Sequence, residues 1–344
     1  PPQAGHADRH AGPASGKAPS VRTRAALLFF NPYSTHTSHM LAAATAVAAL
    51  ATTPCNVLTL SGGGSFGAFE AGVLHQLTAS DSSLDFDFLL GVSAGSMNAA
   101  YLSTWPQGPQ GLADAAAGLK ELWSTTRSRN VWRPWLFPTK RGEPGLVDTA
   151  PLRATLEAKL APRTVQRKVT IGMTSLATGV STLVSEAELG RNLTTLTLAS
   201  AAIPVVFPPI EYNGSRFVDG GLSSNIVTLR AIDRCHAAGK TDVVLTIVLC
   251  SPPIPQVSPE TTRDWGFVEI ATREYAVASA VLFDHALRYK CAPGVTSPIR
   301  TRVFYPGPDA FGSDPLAAIN FDHGAEYWSV GNATGPPDEW YYCL

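Results

Sequence analysis

The sequence predicts an α/β fold in which helices cover a mainly parallel central sheet. Short apolar runs bounded by glycine alternate with longer helical patterns, as strand–helix units of a parallel sheet do. Residues 243–249 are apolar except for Thr246, which is typical of a strand buried on both faces near the centre of such a sheet. The chain has 344 residues, of which 45% are apolar, and can therefore bury a sizeable core.

The remaining elements follow from their periodicity. Predicted strands cover residues 57–60, 86–92, 169–174, 182–185, 217–218 and 301–305. Predicted helices cover residues 68–78, 94–103, 151–160, 192–201, 262–289 and 316–330. Pro151 suits the first turn of its helix. Residues 105–147 are predicted to be rich in loops.

Residues 1–51 are predicted to be an N-terminal extension, and residues 52–344 to form one domain. Pro, Gly, Ala, Arg and Ser dominate the first 24 residues, which predicts disorder. The apolar stretches at 25–30 and 41–50 are shorter than the roughly 18 residues that a spanning helix needs, so no transmembrane segment is predicted. Either stretch is a candidate remnant of a targeting segment. Localisation stays open between a soluble and a peripheral membrane protein, with the secretory pathway favoured.

Charge and cysteine content exclude two classes of partner. A net charge of −1 without a basic block argues against nucleic acid. The five cysteines include no CxxC pair and no histidine at zinc-ligand spacing, so no metal site is predicted. Cys250 ends an apolar run and is interpreted as a core residue. Cys291 and Cys343 could form a disulfide in a secreted chain.

A G-x-S-x-G sequence runs from Gly91 to Gly95, where a predicted strand gives way to a predicted helix. Small flanking residues are needed there because the turn is sharp and the serine backbone is strained. The glycines let Ser93 Oγ stand at the carboxyl edge of the sheet, with a helix N-terminus directed at it. We predict Ser93 to be a nucleophile, and the alternative is a tight turn with an N-cap serine.

A second glycine-rich turn, SGGGSFG, follows the first predicted strand and opens a helix at Gly67. The N–H groups of Gly62, Gly63 and Gly64 can converge there on one anion, either a phosphate or a tetrahedral oxyanion. The spacing is not G-x-G-x-x-G, which argues against a dinucleotide site. No Gly-Lys-Ser/Thr follows, which excludes a Walker loop.

Asp219 is followed by Gly220 and Gly221, directly after the short predicted strand at 217–218. Two glycines allow the aspartate to approach another backbone closely, as a base beside a serine must. Taken alone, the same three residues could form an ordinary turn.

The three motifs together, in this order, resemble the patatin-like phospholipases. Gly64 lies 29 residues before Ser93, and Asp219 lies 126 residues after it. Three neighbouring segments are also similar to family segments, at residues 68–74, 145–152 and 199–209. The resemblance covers residues 56–330.

The resemblance implies a three-layer α/β/α patatin-like fold with a mainly parallel sheet, and a Ser–Asp dyad without a histidine. Ser93 would attack a lipid ester while Asp219 takes its proton. Backbone N–H groups of Gly62, Gly63 and Gly64 would hold the oxyanion, with Gly67, Gly91, Gly95, Gly220 and Gly221 supporting the turns. Water would then release the acyl group. The implied enzyme is a carboxylic ester hydrolase of the phospholipase A or lysophospholipase kind, acting at a membrane or micelle surface without cofactor.

The chain departs from the family pattern beside the glycine loop. Phe66 stands where the family often has Arg or Lys, and Ser61 where it often has Asp. The backbone donors survive both changes. A cation that could meet a phosphate head group is missing, which leaves the preference among phospholipids, galactolipids and neutral esters open.

Two other functions are compatible with these motifs. An α/β-hydrolase would use Ser93, Asp219 and then a histidine, and His236 or His323 satisfies that order. A catalytically silent lipid-binding or storage protein could use the same scaffold.

The aromatic residues of the 105–147 segment are candidates for contact with a lipid interface, a boundary that Trp favours. They are Trp123, Trp132, Trp135 and Phe137. The alternative is that they anchor loops to the body of the domain.

Overall fold

A mixed, mostly parallel sheet with helices on both faces forms the centre of the protein, which confirms the predicted fold class. The computed structural model describes residues 53–135, 145–251, 258–287 and 299–342, apart from positions 308, 313 and 315. These residues belong to one unit, residues 49–344. The predicted extension over residues 1–51 lies outside the described residues.

Most of the elements match predicted ones, and those over residues 109–125, 186–189, 210–212, 228–237, 259–262 and 338–342 are additional to the prediction. The strands are β1 (Cys55–Leu60), β2 (Phe88–Val92), β3 (Val169–Ser175), β4 (Ser181–Ser185), β5 (Ile210–Tyr212), β6 (Ser215–Asp219), β7 (Val243–Val248), β8 (Ile299–Phe304) and β9 (Asp338–Tyr342). The helices are α1 (Gly67–Ser80), α2 (Ala94–Ser103), α3 (Pro109–Thr125), α4 (Ala150–Leu160), α5 (Glu186–Leu189), α6 (Leu193–Ser200), α7 (Thr228–Ala237), α8 (Pro259–Thr262), α9 (Phe267–Leu287) and α10 (Gly324–Asn332).

Five strands pair in parallel in the order β3-β2-β1-β7-β8, and β9 adds to β8 in the antiparallel sense. β7 lies between β1 and β8 with all its residues buried, which confirms its predicted interior position. Because both faces of β2 and β7 are covered, these two strands are nearly continuous apolar runs, whereas β8 alternates apolar residues with Arg300 and Arg302.

One edge of β3 is divided between β2 and β6, and this divided edge positions the functional site. β4 pairs with residues 170–174 of β3 along one edge. β2 pairs with residues 169–172, and β6 with residues 173–175, in the antiparallel sense. Residues 170–174 of β3 already have β4 on one side. β2 and β6 pair with parts of this same stretch, so both must lie on the other side of β3. The last residue of β2 and the last residue of β6 therefore lie opposite consecutive residues, Gly172 and Met173.

Two cores lie on the two faces of the sheet. Leu58 and Leu60 of β1 enter the larger core, which contains residues of α1, α2, α3, α4, α6 and α10. Val57 enters the other core, to which α7 contributes Ala231 and Ile232. Alternate residues of one strand thus fill opposite layers, as a three-layer fold requires.

The prediction that residues 105–147 are rich in loops is wrong for α3. This helix begins with Pro109 and buries Leu112, Ala115, Leu119 and Trp123 along one face. That spacing is a helical one, and the clusters of Pro, Gly and Trp around it hid the signal. The predicted helix over residues 316–330 is also different, because two 3₁₀ turns precede α10 there.

A disulfide joins Cys55, at the start of β1, to Cys235 near the end of α7, with a Cα–Cα distance of 5.9 Å. Cys250 is a free and fully buried thiol, which confirms its interpretation as a core residue. The suggested Cys291–Cys343 pair lies outside the described residues. Among the described helices, none combines the length and apolar character needed to cross a bilayer.

Candidate active site

Ser93 occupies a sharp turn between β2 and α2. Its backbone has φ 53° and ψ −122°, a left-handed conformation that is strained for a residue with a side chain. The Ser93 N–H donates to Ser200 Oγ at 2.9 Å, which helps to hold the turn. A Cβ on Gly95 would lie 2.5 Å from the Leu60 carbonyl oxygen, and one on Gly91 would lie 2.2 Å from the Gly95 carbonyl oxygen. Glycine is therefore required on both sides of the serine.

Asp219, the last residue of β6, lies directly beside this turn. Ser93 Oγ donates a hydrogen bond to Asp219 Oδ2 at 2.5 Å. Asp219 Oδ1 accepts two more, from the Gly221 N–H at 2.9 Å and from Tyr275 Oη at 2.6 Å. The carboxylate is fully buried, so three donors orient it and direct Oδ2 at the serine.

Burial raises the pKa of Asp219 from its ordinary 3.8 to about 6, and its three hydrogen bonds partly offset that rise. The carboxyl group is therefore mostly ionised at neutral pH, as a proton acceptor must be. An aspartate with an ordinary pKa would also be ionised, but it would be a weaker base.

The two glycines after Asp219 permit the close approach that the sequence predicts. A Cβ on Gly220 would lie 2.3 Å from the Gly172 carbonyl oxygen. A Cβ on Gly221 would lie 2.2 Å from Tyr275 Oη. Larger residues at these positions would push β6 from β3 or displace the tyrosine from the carboxylate.

The glycine-rich loop lies against the serine. A Cβ on Gly62 would be 2.9 Å from Ser93 Cβ. The Gly62 N–H donates to Asn225 Oδ1 at 2.9 Å, so this predicted oxyanion donor is already engaged. Within the described part of the chain, no hydrogen bond of the Gly63 or Gly64 N–H is found. These two donors are the ones that remain for an anion beside Ser93.

The rest of the loop is held by close packing. Gly64 has φ +60°, and a Cβ there would lie 1.9 Å from the Ala318 carbonyl oxygen. A Cβ on Gly67 would lie 2.9 Å from Ala94 Cβ, so α1 and α2 begin side by side. Phe66, which stands at the family's frequent Arg or Lys position, stacks on Phe311 with ring centroids 4.3 Å apart.

Buried polar groups support the loop from behind. Ser61 Oγ accepts the Cys250 N–H at 2.9 Å and donates to the Gly62 carbonyl oxygen at 3.1 Å. Behind them, Asn98 Nδ2 donates to Glu70 Oε2 at 2.9 Å. Burial raises the pKa of the Glu70 carboxyl well above its usual range, and the hydrogen bond from Asn98 partly offsets that rise.

Asn225 and Tyr275 are site residues that the sequence analysis missed, as is Ser200. Asn225 fixes the glycine loop to the segment after Asp219, and Tyr275 on α9 orients the carboxylate. Neither belongs to a recognisable motif. Tyr275 is 56 residues beyond Asp219, and only the packing of α9 on the Gly220–Leu222 turn brings it there.

The histidines of the alternative triad lie elsewhere. His323 is paired with Glu326 at 3.2 Å on the surface, and His236 is exposed on α7. Neither has a hydrogen bond to Asp219 or Ser93 among the described contacts. In the described residues, no three His, Cys, Asp or Glu side chains are grouped so that they could hold a metal ion.

The Trp residues predicted as candidates for contact with a lipid interface instead donate hydrogen bonds to other parts of the domain. Trp123 is buried and donates to Asn98 Oδ1 at 2.8 Å. Trp132 donates to the Ile319 carbonyl oxygen at 2.9 Å, and Trp135 to that of Gly145 at 3.0 Å. Phe137 lies outside the described residues.

The chain is similar to one protein family and to a distant solved structure. No curated protein matches the chain. Among solved structures, VipD from Legionella pneumophila matches with 13% identity and a TM-score of 0.40, and the match covers 80% of this chain and 65% of that chain. The chain thus spans 65% of the length of VipD. A family model described as patatin-like phospholipase matches residues 58–232, just over half of the chain and the part that contains both Ser93 and Asp219. The chain belongs to the patatin-like phospholipase family.

Proposed function

We propose that the protein is a serine lipid acyl hydrolase in which Ser93 is the nucleophile and Asp219 the base, and that residues 52–344 form its catalytic domain. The observation that carries the proposal is the 2.5 Å hydrogen bond from Ser93 Oγ to the buried Asp219 Oδ2. The strained turn, the raised pKa of Asp219 and the adjacent glycine loop each support it.

The first half of the reaction makes an acyl-enzyme. As Ser93 Oγ attacks the ester carbonyl carbon, its proton passes to Asp219 Oδ2 along the existing hydrogen bond. The protonated aspartate then gives this proton to the departing alcohol oxygen. Its raised pKa suits both roles, because an acid with a pKa near 6 can protonate an alkoxide and a base of that strength can accept a hydroxyl proton.

The second half returns the enzyme to its starting state. A water molecule attacks the acyl group on Ser93 while Asp219 accepts one of its protons. The proton returns to Ser93 Oγ as the carboxylic acid leaves. During both halves, the N–H groups of Gly63 and Gly64 donate to the carbonyl oxygen as it becomes an oxyanion, and Asn225 keeps their loop in place through Gly62.

The proposed substrates are carboxylic esters of lipids, of the phospholipase A or lysophospholipase kind. Phe66 packs among Phe311 and Tyr327 and offers no charge to a phosphate head group. We therefore expect activity that does not depend on an anionic head group, with neutral and galactolipid esters included among the substrates.

The test uses a soluble short-chain nitrophenyl ester and a fluorophosphonate probe. The parent should hydrolyse the ester and carry the label on Ser93. Ser93→Ala should lose at least about 10³-fold in kcat, because removing a nucleophile leaves only binding and oxyanion stabilisation. Ser329→Ala, which changes an exposed serine, is the matched control and should behave as the parent. Absence of turnover in a folded parent would instead indicate a silent lipid-binding protein.

A further inference from the structure

α9 exposes an apolar stripe on its outer side. Phe267, Ile270, Val277 and Val281 are between 42 and 70% exposed. They are spaced by three, seven and four residues, which places them along one face of a helix. On the same face, Glu274 is an exposed charged residue. Four large apolar side chains exposed along one face of a helix indicate a surface that binds a protein or a membrane.

The stripe lies on the helix that contacts the catalytic dyad. Tyr275 donates to Asp219 Oδ1 at 2.6 Å, so its side of α9 faces the active site. At 3.6 residues per turn, Tyr275 lies roughly 120° around the helix from the centre of the stripe. The stripe is therefore the outer surface of an element whose inner surface is part of the site.

Other exposed apolar residues lie at the same end of the sheet. Leu222 is in the turn after Asp219 and is exposed. Leu176 and Val180, also exposed, are in the connection between β3 and β4, just beyond the carboxyl end of β3. The carboxyl edge that presents Ser93 thus also presents scattered aliphatic side chains to solvent.

This arrangement fits a lipid surface better than a folded protein partner. An amphipathic helix that lies in a membrane interface has a continuous apolar face and a polar opposite face. Ile270 and Val277 line one shallow pocket, and Phe267 and Val281 continue the apolar surface along the helix beyond it. Trp265, which borders the stripe near Ile270 and Val277, is a residue type that favours the membrane interface.

We propose that the α9 stripe (Phe267, Ile270, Val277 and Val281) is the surface by which this protein docks on a lipid bilayer. The proposal rests on the proposed function, since a lipid ester substrate brings Ser93 to such a surface. Docking there would hold the carboxyl edge of the sheet toward the lipid. Arg273 and Glu274 line the pocket of this stripe together and carry opposite charges, so the stripe has no net charge, and we expect binding to neutral bilayers with little dependence on salt.

The test is flotation with unilamellar phosphatidylcholine vesicles, at low and high salt. The parent should bind, and Val277→Asp with Val281→Asp should lower the bound fraction at least about tenfold, because two carboxylates oppose burial in the interface. Ala237→Asp with Ala238→Asp adds the same charge at the exposed end of α7, beside the disulfide at the amino edge of the sheet, and is the matched control. Circular dichroism should be the same for all three proteins.

Turnover of the soluble ester separates the two proposals. The stripe variant should keep this turnover within about twofold of the parent, since neither valine contacts the dyad. Loss of vesicle binding with retained ester turnover supports the docking surface. If the variant still floats, if the parent never does, or if the stripe instead holds a dimer that the variant dissociates, the proposal is overturned. If vesicle binding responds as expected but no protein hydrolyses the ester, the hydrolase proposal fails and the docking surface stands.

Discussion

Asp219 is the residue whose surroundings control the proposed chemistry. Its pKa of about 6 means that activity should fall as the pH drops through that value, because protonated Asp219 cannot accept the serine proton. This acid limb is close to that of an imidazole base, so a pH profile alone does not distinguish the dyad from a histidine triad. Substitution does.

Asp219→Asn should reduce turnover of a soluble ester about as severely as Ser93→Ala, and the double variant should be little worse than either, because the pair acts as a unit. The amide keeps the size of the side chain, and its oxygen can still accept from Gly221 and Tyr275. Measured kcat values decide the matter. Near-parental turnover in Asp219→Asn, together with loss in His236→Ala or His323→Ala, would refute the dyad.

The raised pKa also predicts a stability difference. Folded Asp219 holds its proton more tightly than the unfolded chain, so its stabilising contribution is complete below pH 3.8 and is lost as the pH rises through about 6. The loss corresponds to about 3 kcal/mol. Asp219→Asn should therefore melt at a higher temperature than the parent at pH 8, and the gap should shrink at pH 4. Asp233→Asn, at an exposed position, should show no such gap.

Tyr275 should act as a positioning residue, and its effect should appear in the pH profile. Its hydroxyl lowers the pKa of Asp219, so Tyr275→Phe should move the acid limb of kcat to higher pH. Tyr305→Phe is a suitable control, since that hydroxyl binds Asp338 instead. An unmoved acid limb in Tyr275→Phe, with only a lower melting temperature, would mean that the tyrosine is merely structural.

The sequence could single out Ser93 and Asp219 as candidates because each belongs to a local turn whose glycines are required by close contacts. Gly95 and Gly220 both face backbone carbonyl oxygens at distances that exclude any Cβ. Asn225 and Tyr275 could not be identified in this way. Their roles depend on tertiary packing between distant segments, and neither residue type is unusual in its own turn or helix.

The strand–turn–helix unit that holds Ser93 is the element most sensitive to substitution. Gly95→Ala should destabilise the protein by a few kcal/mol, because its Cβ would meet the Leu60 carbonyl oxygen at the end of β1. Gly307→Ala is the control, since a Cβ there meets nothing within 4 Å. Thermal melts and fluorophosphonate labelling should both report the difference. A Gly95→Ala protein with parental stability would contradict the close packing of α2 on β1.

Periodicity located most strands and helices, but the prediction omitted α7, which is amphipathic, and several elements whose signals are short or interrupted. β1, β2, β7 and α2 are continuous apolar or amphipathic segments, and the predicted and observed bounds agree within a few residues. β5 has only three residues, too few for any alternation to show. In α3, the helical spacing of buried residues was present but lay among turn-forming and aromatic residues.

At the scale of the whole molecule, the disulfide links two distant parts of the chain. Cys55 and Cys235 are 180 residues apart, so their bond constrains a large part of the unfolded chain. Replacing both with Ser should lower stability by about 5 kcal/mol, as expected for a loop of that size. Denaturant melts measure the loss, and non-reducing peptide mapping should recover the linked pair. Free thiols at both positions in protein purified without reductant would contradict the bond.

The divided edge of β3 makes the dyad independent of how much chain separates its members. Since β2 and β6 pair with consecutive stretches of one strand, the spacing of Ser93 and Asp219 is set by the repeat of that strand, about 3.3 Å per residue. Insertions or deletions in the connections between them leave this spacing unchanged. A slip of β6 by two residues would keep its side chains on the same faces yet move Asp219 by roughly 7 Å. Evolution can therefore lengthen and reshape the entrance to the site freely, while the alignment of three short strands must be inherited intact.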